Sequence, residues 1–313
     1  MINETSNSIK HPSLLYGKGF ALDVYLPALV NLGIKKVFIK KNQFSNISRS
    51  NILEKYKEYI IYFNEEDYKD QLFDYTILAV SPEKQYTLLL NNKIIKNTNT
   101  LILEKPLASS PIKAIEILRE LENLKIKYLI NYSFRYAVWY KKLCSGIYNL
   151  PKNIELFFIW KFRARHFIHN RITWKKSHSK GGGAIRFYGI HLIAILSDMG
   201  YSNIEESNTS FDLLYDLSSF SCSLESTNKL PKCKILINSN SLENQFSCYY
   251  IKDSKKINLL DLEAPFPYKY GELYNDPRID LTKRLLKEKQ FNYNNINVIN
   301  LWKAIEDKIQ DKY

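Results

Sequence analysis

Gly17-Lys18-Gly19 is the first arrangement in the chain with chemical potential. It follows the short apolar segment Ser13 to Tyr16 and precedes a helical pattern, Phe20, Val24, Leu26, Leu29 and Val30, that ends at Gly33. At such a strand-to-helix turn, free N–H groups and the helix dipole favour an anion such as a dinucleotide pyrophosphate. The third position of a GxGxxG is Leu22, so the full fingerprint is absent, and a two-glycine turn can equally be plain punctuation. The next strand-like stretch, Val37-Phe38-Ile39, ends in Lys40-Lys41-Asn42. An acidic residue at that place would hold an adenosine ribose diol. Two ammonium groups instead suit a 2′-phosphate, or they are simply part of a basic surface. Arg49 and Asn42 are alternative occupants of the deciding position.

The histidines offer proton exchange near neutral pH. His191 lies on an apolar helix, His191 to Met199, where it is either a site group or a core histidine. His166 and His169 lie in the arginine-rich stretch Arg163 to Arg171, which contacts an anionic substrate or is merely exposed. The four cysteines, Cys144, Cys222, Cys233 and Cys248, show no CxxC pairing and no histidine at zinc spacing, so no metal site and a reduced, cytoplasmic setting are expected.

Alternating elements position these groups. Lys36 to Ile39, Tyr59 to Phe63, Tyr75 to Val80, Thr100 to Leu103 and Tyr128 to Asn131 read as strands, with helical patterns at Gln85 to Ile95 and Ser110 to Leu124. Strands alternating with helices imply a parallel, doubly wound α/β sheet, which binds ligands beyond the carboxyl ends of its strands. Ile154 to Trp160, Lys234 to Ile237 and Ser247 to Ile251 continue as strands in the second half. At 313 residues, 45% hydrophobic and 25% charged, the chain has ordinary globular composition. It contains no apolar run of membrane-spanning length, and Met1 to His11 lacks the apolar centre of a signal peptide. The net charge of +13 favours anionic partners, but the basic residues are scattered and form no nucleic-acid module. A phosphate-bearing cofactor or substrate fits that charge, and neither nucleic acid nor membrane is expected as a partner.

Five segments, in order, resemble the Gfo/Idh/MocA family of oxidoreductases. They are Leu26-Pro27-Ala28-Leu29, Ala79-Val80-Ser81-Pro82, Glu104-Lys105-Pro106-Leu107-Ala108, Asn131-Tyr132-Ser133-Phe134-Arg135-Tyr136, and Gly181-Gly182-Gly183-Ala184 with Gly189-Ile190-His191-Leu192-Ile193. The resemblance implies a Rossmann domain over residues 1–130. It also implies an α/β domain over 131–313, whose large, mostly antiparallel sheet makes a homo-oligomer interface through its open face. It places Lys105 beside the nicotinamide and the substrate hydroxyl, where an ammonium stabilises a developing alkoxide or passes its proton if burial lowers its pKa. His191 becomes the second catalytic candidate. Gly17, Gly19, Phe20, Ser81, Pro82, Glu104 and Lys105 line the cofactor, with Lys40 and Lys41 at its adenosine end. Tyr132, Arg135, Trp174, Lys175 and His191 meet the substrate.

The activity implied by the resemblance is that of an NAD(P)-dependent oxidoreductase acting on a sugar or nucleotide-sugar hydroxyl or ketone. Lys40-Lys41 favours NADP, with NAD as the alternative. Two departures open other readings. The family's D-x-G-x-H arrangement has Phe187 in place of the aspartate, and the acidic residue that often follows GIHLI is Ala194. A non-catalytic NAD(P)-binding sensor and a redox-neutral sugar-modifying enzyme are the alternatives.

Overall fold

The computed structural model describes residues 11–41, 54–64, 71–91, 95–212, 216–266, 276–289 and 294–310. Asn42 and Arg49 lie outside the described residues, as do residues 1–10. Six parallel strands form the first sheet: β1 (Ser13–Gly17), β2 (Val37–Lys40), β3 (Ile60–Phe63), β4 (Phe73–Ala79), β5 (Thr98–Leu103) and β6 (Tyr128–Ile130). Their order is β3-β2-β1-β4-β5-β6, so the winding reverses between β1 and β4 and opens a crevice at their carboxyl ends.

Period-2 alternation divides each strand between two cores. Leu14, Tyr16, Leu78, Leu101, Leu103 and Ile130 face one side, while Leu15, Ile77, Ile102 and Leu129 face the other, and all are buried. Strands buried on both faces read as continuous apolar runs, which is why they are visible in the sequence. Helices cover both sides: α1 (Leu26–Asn31), α2 (Pro82–Leu90) and α3 (Pro111–Asn123), the last capped by the Ser110 hydroxyl.

The first helix is not regular. A π-helical turn, Ala21–Tyr25, precedes α1, and the Leu26 N–H bonds to Ala21 O. Pro27 has no N–H to donate, and in a regular helix its ring meets the carbonyl four residues back. The wider turn avoids that conflict, and Gly33 at φ +89° ends the helix.

The second sheet runs β12-β11-β7-β10-β9-β8 and is antiparallel except for the β7–β10 pair. Its strands are β7 (Glu155–Arg163), β8 (Tyr201–Asp212), β9 (Asp216–Ser226), β10 (Lys232–Asn238), β11 (Asn240–Lys252) and β12 (Lys255–Leu262). Leu156, Phe158 and Trp160 of β7 join the core that also holds Leu14 and Leu103, so one apolar body is continuous between the sheets. Helix α4 (Tyr140–Tyr148), the short α5 (Arg165–Ile168) and α6 (Ile190–Met199) belong to this half, and α6 is buried on nearly every side.

The end of the chain returns to the first sheet. Helix α7 (Pro277–Leu286) places Ile279, Leu281, Leu285 and Leu286 in the core beside α1, and the Tyr75 hydroxyl donates to Leu286 O at 2.8 Å. Helix α8 (Asn295–Gln310) carries Trp302, which is fully buried, and Glu306. The Arg186 guanidinium grips Glu306 through two bonds of 2.7 and 2.6 Å, and also donates to Ser109 O and His178 O. Trp302 Nε1 donates to the same carboxylate at 2.7 Å. The pair is buried, with side chains only 10% and 8% exposed, so each charge depends on the other.

Glu306→Gln should therefore cost about 3–5 kcal/mol, because a buried guanidinium loses its counter-charge. Urea unfolding followed by circular dichroism measures this, and an unchanged midpoint and slope would show that the pair contributes nothing net.

Candidate active site

The crevice is built first by backbone. Gly17, at the end of β1, has φ +130°, and a Cβ there would lie 2.1 Å from Ala79 O at the end of β4. Only glycine lets these two strand ends approach so closely. Gly19 differs, since a Cβ there would meet nothing within 4 Å among the described residues. Protein packing does not require that glycine, whereas a pyrophosphate drawn against the backbone would. This is the feature that best fits a dinucleotide. Leu22, at the third fingerprint position, is buried within the π turn. Phe20 lies half-buried at the rim, edge-on to Tyr25 at 5.4 Å, with the Arg278 guanidinium 5.3 Å from its ring.

At the β2 end the expected lysines separate. Lys40 lies over the Tyr16 ring at 5.3 Å, and its pKa is lowered by burial and by the nearby Lys84. Lys41 is exposed. The second cation beside Lys40 is thus Lys84, from the first turn of α2. Ser81 caps α2 through its carbonyl, which accepts from Gln85 N at 2.8 Å. Pro82 is buried, and a Cβ on Gly181 would come within 2.9 Å of it, so the glycine run closes directly over the start of α2.

A network of buried polar groups fixes the end of β5. Glu104 Oε1 accepts from the Tyr25 hydroxyl at 2.7 Å and from Asn131 Nδ2 at 3.0 Å. Asn131 also donates to the Tyr25 oxygen and accepts from Ser133. Gln85 binds the Glu104 backbone on both sides, accepting from its N–H and donating to its carbonyl, and donates again to Leu107 O. Burial raises the Glu104 pKa, although Tyr25 and Lys105 oppose the shift. The Lys105-Pro106 bond just beyond is cis.

Lys105 therefore emerges at a defined place. Its ammonium donates to Phe187 O at 2.7 Å and sits 3.8 Å from the centroid of the Phe187 ring. Burial brings its pKa down to about 7, with Glu104 opposing and Lys175 and Arg278 assisting. A lysine poised near neutrality can both donate and accept a proton. Phe187 itself belongs to a second π-helical turn, Ala184–Gly189, whose neighbour Arg186 is held by Glu306. Phe187 thus supplies a backbone carbonyl, an acceptor that cannot take up the proton.

His191 is 5% exposed, stacks on Phe134 at 4.9 Å, and has no partner for Nδ1 among the described residues. Burial and the charge of Lys105 push its pKa well below the usual histidine range, so it is a neutral imidazole. Its chemistry is hydrogen bonding, not the charge-switching expected from its type. Arg135 is not presented to the crevice as a free cation. It forms a bidentate pair with Asp198, both bonds at 2.8 Å, and covers the Tyr132 ring at 4.8 Å. Tyr132 is 1% exposed. These two residues brace the chain crossover, where the sequence leads one to expect substrate contact. Trp174, by contrast, stands edge-on to Phe187 at 5.3 Å, and the Lys175 ammonium lies 5.3 Å from the same ring. His166 is buried against Phe167 and Tyr188, His169 is exposed, and burial holds His178 neutral with a pKa of about 4.

The structure brings together Gly17, Gly19, Glu104, Lys105, Trp174, Lys175 and the buried His191. Tyr25, Gln85, Asn131, Lys84 and Arg278 join them, none of them a candidate from sequence. Asn131 does open the Asn131–Tyr136 motif, but Tyr25 reads as an ordinary helix position. Among the described residues no group of three His, Cys, Asp or Glu side chains could hold a metal, and no helix is long and apolar enough to cross a membrane.

No protein-family model and no curated protein sequence matches the chain. Solved structures do. The WlbA dehydrogenase from Bordetella pertussis, in complex with NADH and UDP-GlcNAcA, superposes with a TM-score of 0.73 at 11% identity, over 98% of this chain and 97% of that one. GenD2 from gentamicin A biosynthesis, in complex with NAD, gives 0.72 at 11% identity, over 100% and 98%. The dehydrogenase MviM from Clostridium difficile gives 0.65 at 15% identity, over 97% and 99%. Over nearly its whole length, the chain has the two-sheet α/β fold of these dehydrogenases.

Proposed function

We propose that the chain is a nicotinamide-dinucleotide-dependent oxidoreductase of the Gfo/Idh/MocA family, acting on a hydroxyl or ketone of a sugar or nucleotide-sugar. Lys105 carries this reading: an ammonium with a pKa of about 7, fixed at the carboxyl edge of the parallel sheet by Phe187 O. Neighbours with the same fold were solved with NAD or NADH, three of them also with UDP-GlcNAcA. Residues 1–130 form the cofactor domain in this reading, and 131–313 the substrate and oligomerisation domain, with α7 returning to pack on the former.

Gly17, Gly19 and the start of the first helix would hold the pyrophosphate, with Phe20, Ser81, Pro82 and Glu104 beside it. Bound there, the nicotinamide ring supplies the hydride acceptor or donor. The chain's own residues manage the proton. In the oxidising direction the neutral Lys105 amine takes the proton of the substrate hydroxyl, and in the reducing direction the ammonium returns it to the carbonyl oxygen. His191, neutral and lodged near Lys105, orients that oxygen by hydrogen bonding. Trp174 offers an aromatic face to the sugar.

Lys105→Met should lower turnover about 100- to 10,000-fold while leaving dinucleotide affinity and the unfolding midpoint close to the parent's. With the parent, oxidation should rise as pH passes about 7, because the amine must be free. Reduction should fall over the same range, because the ammonium is consumed. An active Lys105→Met, or pH profiles without this opposition, would remove Lys105 from the chemistry.

At the adenosine end the reading is NADP, held at its 2′-phosphate by Lys40 with Lys84 or Lys41. A charge-assisted contact of this exposed kind supports about a tenfold preference, or about 1.4 kcal/mol. Calorimetric titration of both cofactors tests it; the preference should vanish in Lys40→Ala/Lys84→Ala, and tighter binding of NAD by the parent would reverse the assignment.

The reading also includes a homo-oligomer. Phe157 and Ile159 of β7 point away from the core that Leu156, Phe158 and Trp160 enter, and Phe157 stacks on Tyr249 at 5.2 Å. Such an apolar sheet face is usually covered. Light scattering should give a mass of at least twice 36.9 kDa, and a concentration-independent monomer would refute it.

A further inference from the structure

We infer that the ring of Phe187, flanked by the ammonium groups of Lys105 and Lys175, forms a subsite for a carboxylate carried by the substrate, so that the preferred sugar is an acid. The inference rests on the dehydrogenase reading and narrows its substrate class.

Geometry comes first. Both ammonium groups lie over one ring, Lys105 Nζ at 3.8 Å and Lys175 Nζ at 5.3 Å from its centroid. A ring attracts a cation through its quadrupole, but only weakly, and it cannot neutralise two. The like charges are felt: the Lys175 ammonium makes Lys105 less ready to hold its proton. Arg278, from α7, acts on both lysines in the same sense.

The local carboxylates do not balance both lysines: Glu104 favours the charged form of each, but it is a single carboxylate. Glu104 is the nearest in sequence, but Oε1 is occupied by Tyr25 and Asn131 inside the β5 network. Asp276 is engaged by Arg278 through its side chain and by the Arg278 N–H. Neither Lys105 nor Lys175 forms an ion pair among the described residues. Lys105 is satisfied by a backbone carbonyl, which leaves two donors of its ammonium available.

The surroundings suit a sugar acid in particular. Trp174 stands edge-on to Phe187 at 5.3 Å, so apolar ring surface adjoins the two cations. The carbon-bound face of a pyranose can rest on such surface while its carboxylate reaches the ammonium pair. The backbone of Lys175 is firmly held. Its carbonyl accepts from Gly183 N at 2.9 Å, and a Cβ on Gly182 would come within 2.5 Å of that same oxygen. The glycine run thus fixes the lysine's backbone as well as the π turn that carries Phe187.

A pair of probes differing only in this group tests the inference: UDP-glucuronic acid and UDP-glucose, titrated by calorimetry into protein saturated with dinucleotide. The acid should bind the parent at least about tenfold more tightly, the scale of one charge-assisted contact. Lys175→Met should bring the acid down to the level of the neutral sugar, and Lys175→Arg should keep most of the preference. Equal affinity for the two probes, no binding of the acid, or a preference that survives in Lys175→Met would each overturn the subsite. Dinucleotide binding is read first and separately. Its absence would count against the dehydrogenase reading, whereas its presence with no acid preference would sink the subsite alone.

Discussion

A single hydrogen bond, from the Lys105 ammonium to the Phe187 carbonyl, joins the end of a parallel strand to the first turn of a helix in the other half of the chain. Much of the architecture serves to make it possible. An ammonium withdrawn from water is costly unless its protons are placed and its field compensated. Here the strand end is held by Gln85, Tyr25 and Asn131, and the acceptor is held by the Arg186–Glu306 pair. The first support lies within the Rossmann half, and the second reaches from the last helix. The C-terminal helix therefore takes part in positioning the acceptor of Lys105.

The two π turns are related to this arrangement. Each begins a helix at the crevice, and each substitutes a five-residue repeat for the regular one at its start. Such turns widen the helix and redirect the side chains on it, and they are common at functional sites. The first directs Tyr25 to Glu104. The second points the Phe187 carbonyl at Lys105 while Arg186, one residue earlier, turns inward to Glu306. A regular helix would rotate these neighbours by a different angle, and the two roles would compete for one direction.

The parallel sheet is legible in the sequence because its strands are buried on both faces and so appear as unbroken apolar runs. β8 and β9 are not. Tyr201–Asp212 and Asp216–Ser226 are rich in Ser, Asn and Glu, poor strand formers, and only their inward residues such as Phe220, Cys222 and Leu224 are apolar. Their pairing is made across the sheet, β9 lying between β8 and β10. The helix after Gly19 is visible, but its π start depends on what Pro27 cannot donate. Of the site, the residues in local motifs can be read, because glycine turns and Glu-Lys-Pro are local signals. Arg135 reads as a ligand group, and nothing local announces that Asp198 will meet it.

Arg186 and Phe187 show the limit most clearly. In sequence, a phenylalanine where an aspartate is common reads as the loss of a proton relay. In the structure the main-chain carbonyl of Phe187 accepts from Lys105, an acceptor without charge. Burial first, and then the Lys175 and Arg278 charges, bring the Lys105 pKa down to about 7 against the pull of Glu104, and the Phe187 carbonyl adds no counter-charge. His191 is held uncharged first by its own burial and then by the Lys105 charge, which discourages a second proton. Residue 187 therefore contributes an acceptor and a ring to the crevice but no charge, and the state of both neighbours is set by burial and by the surrounding charges.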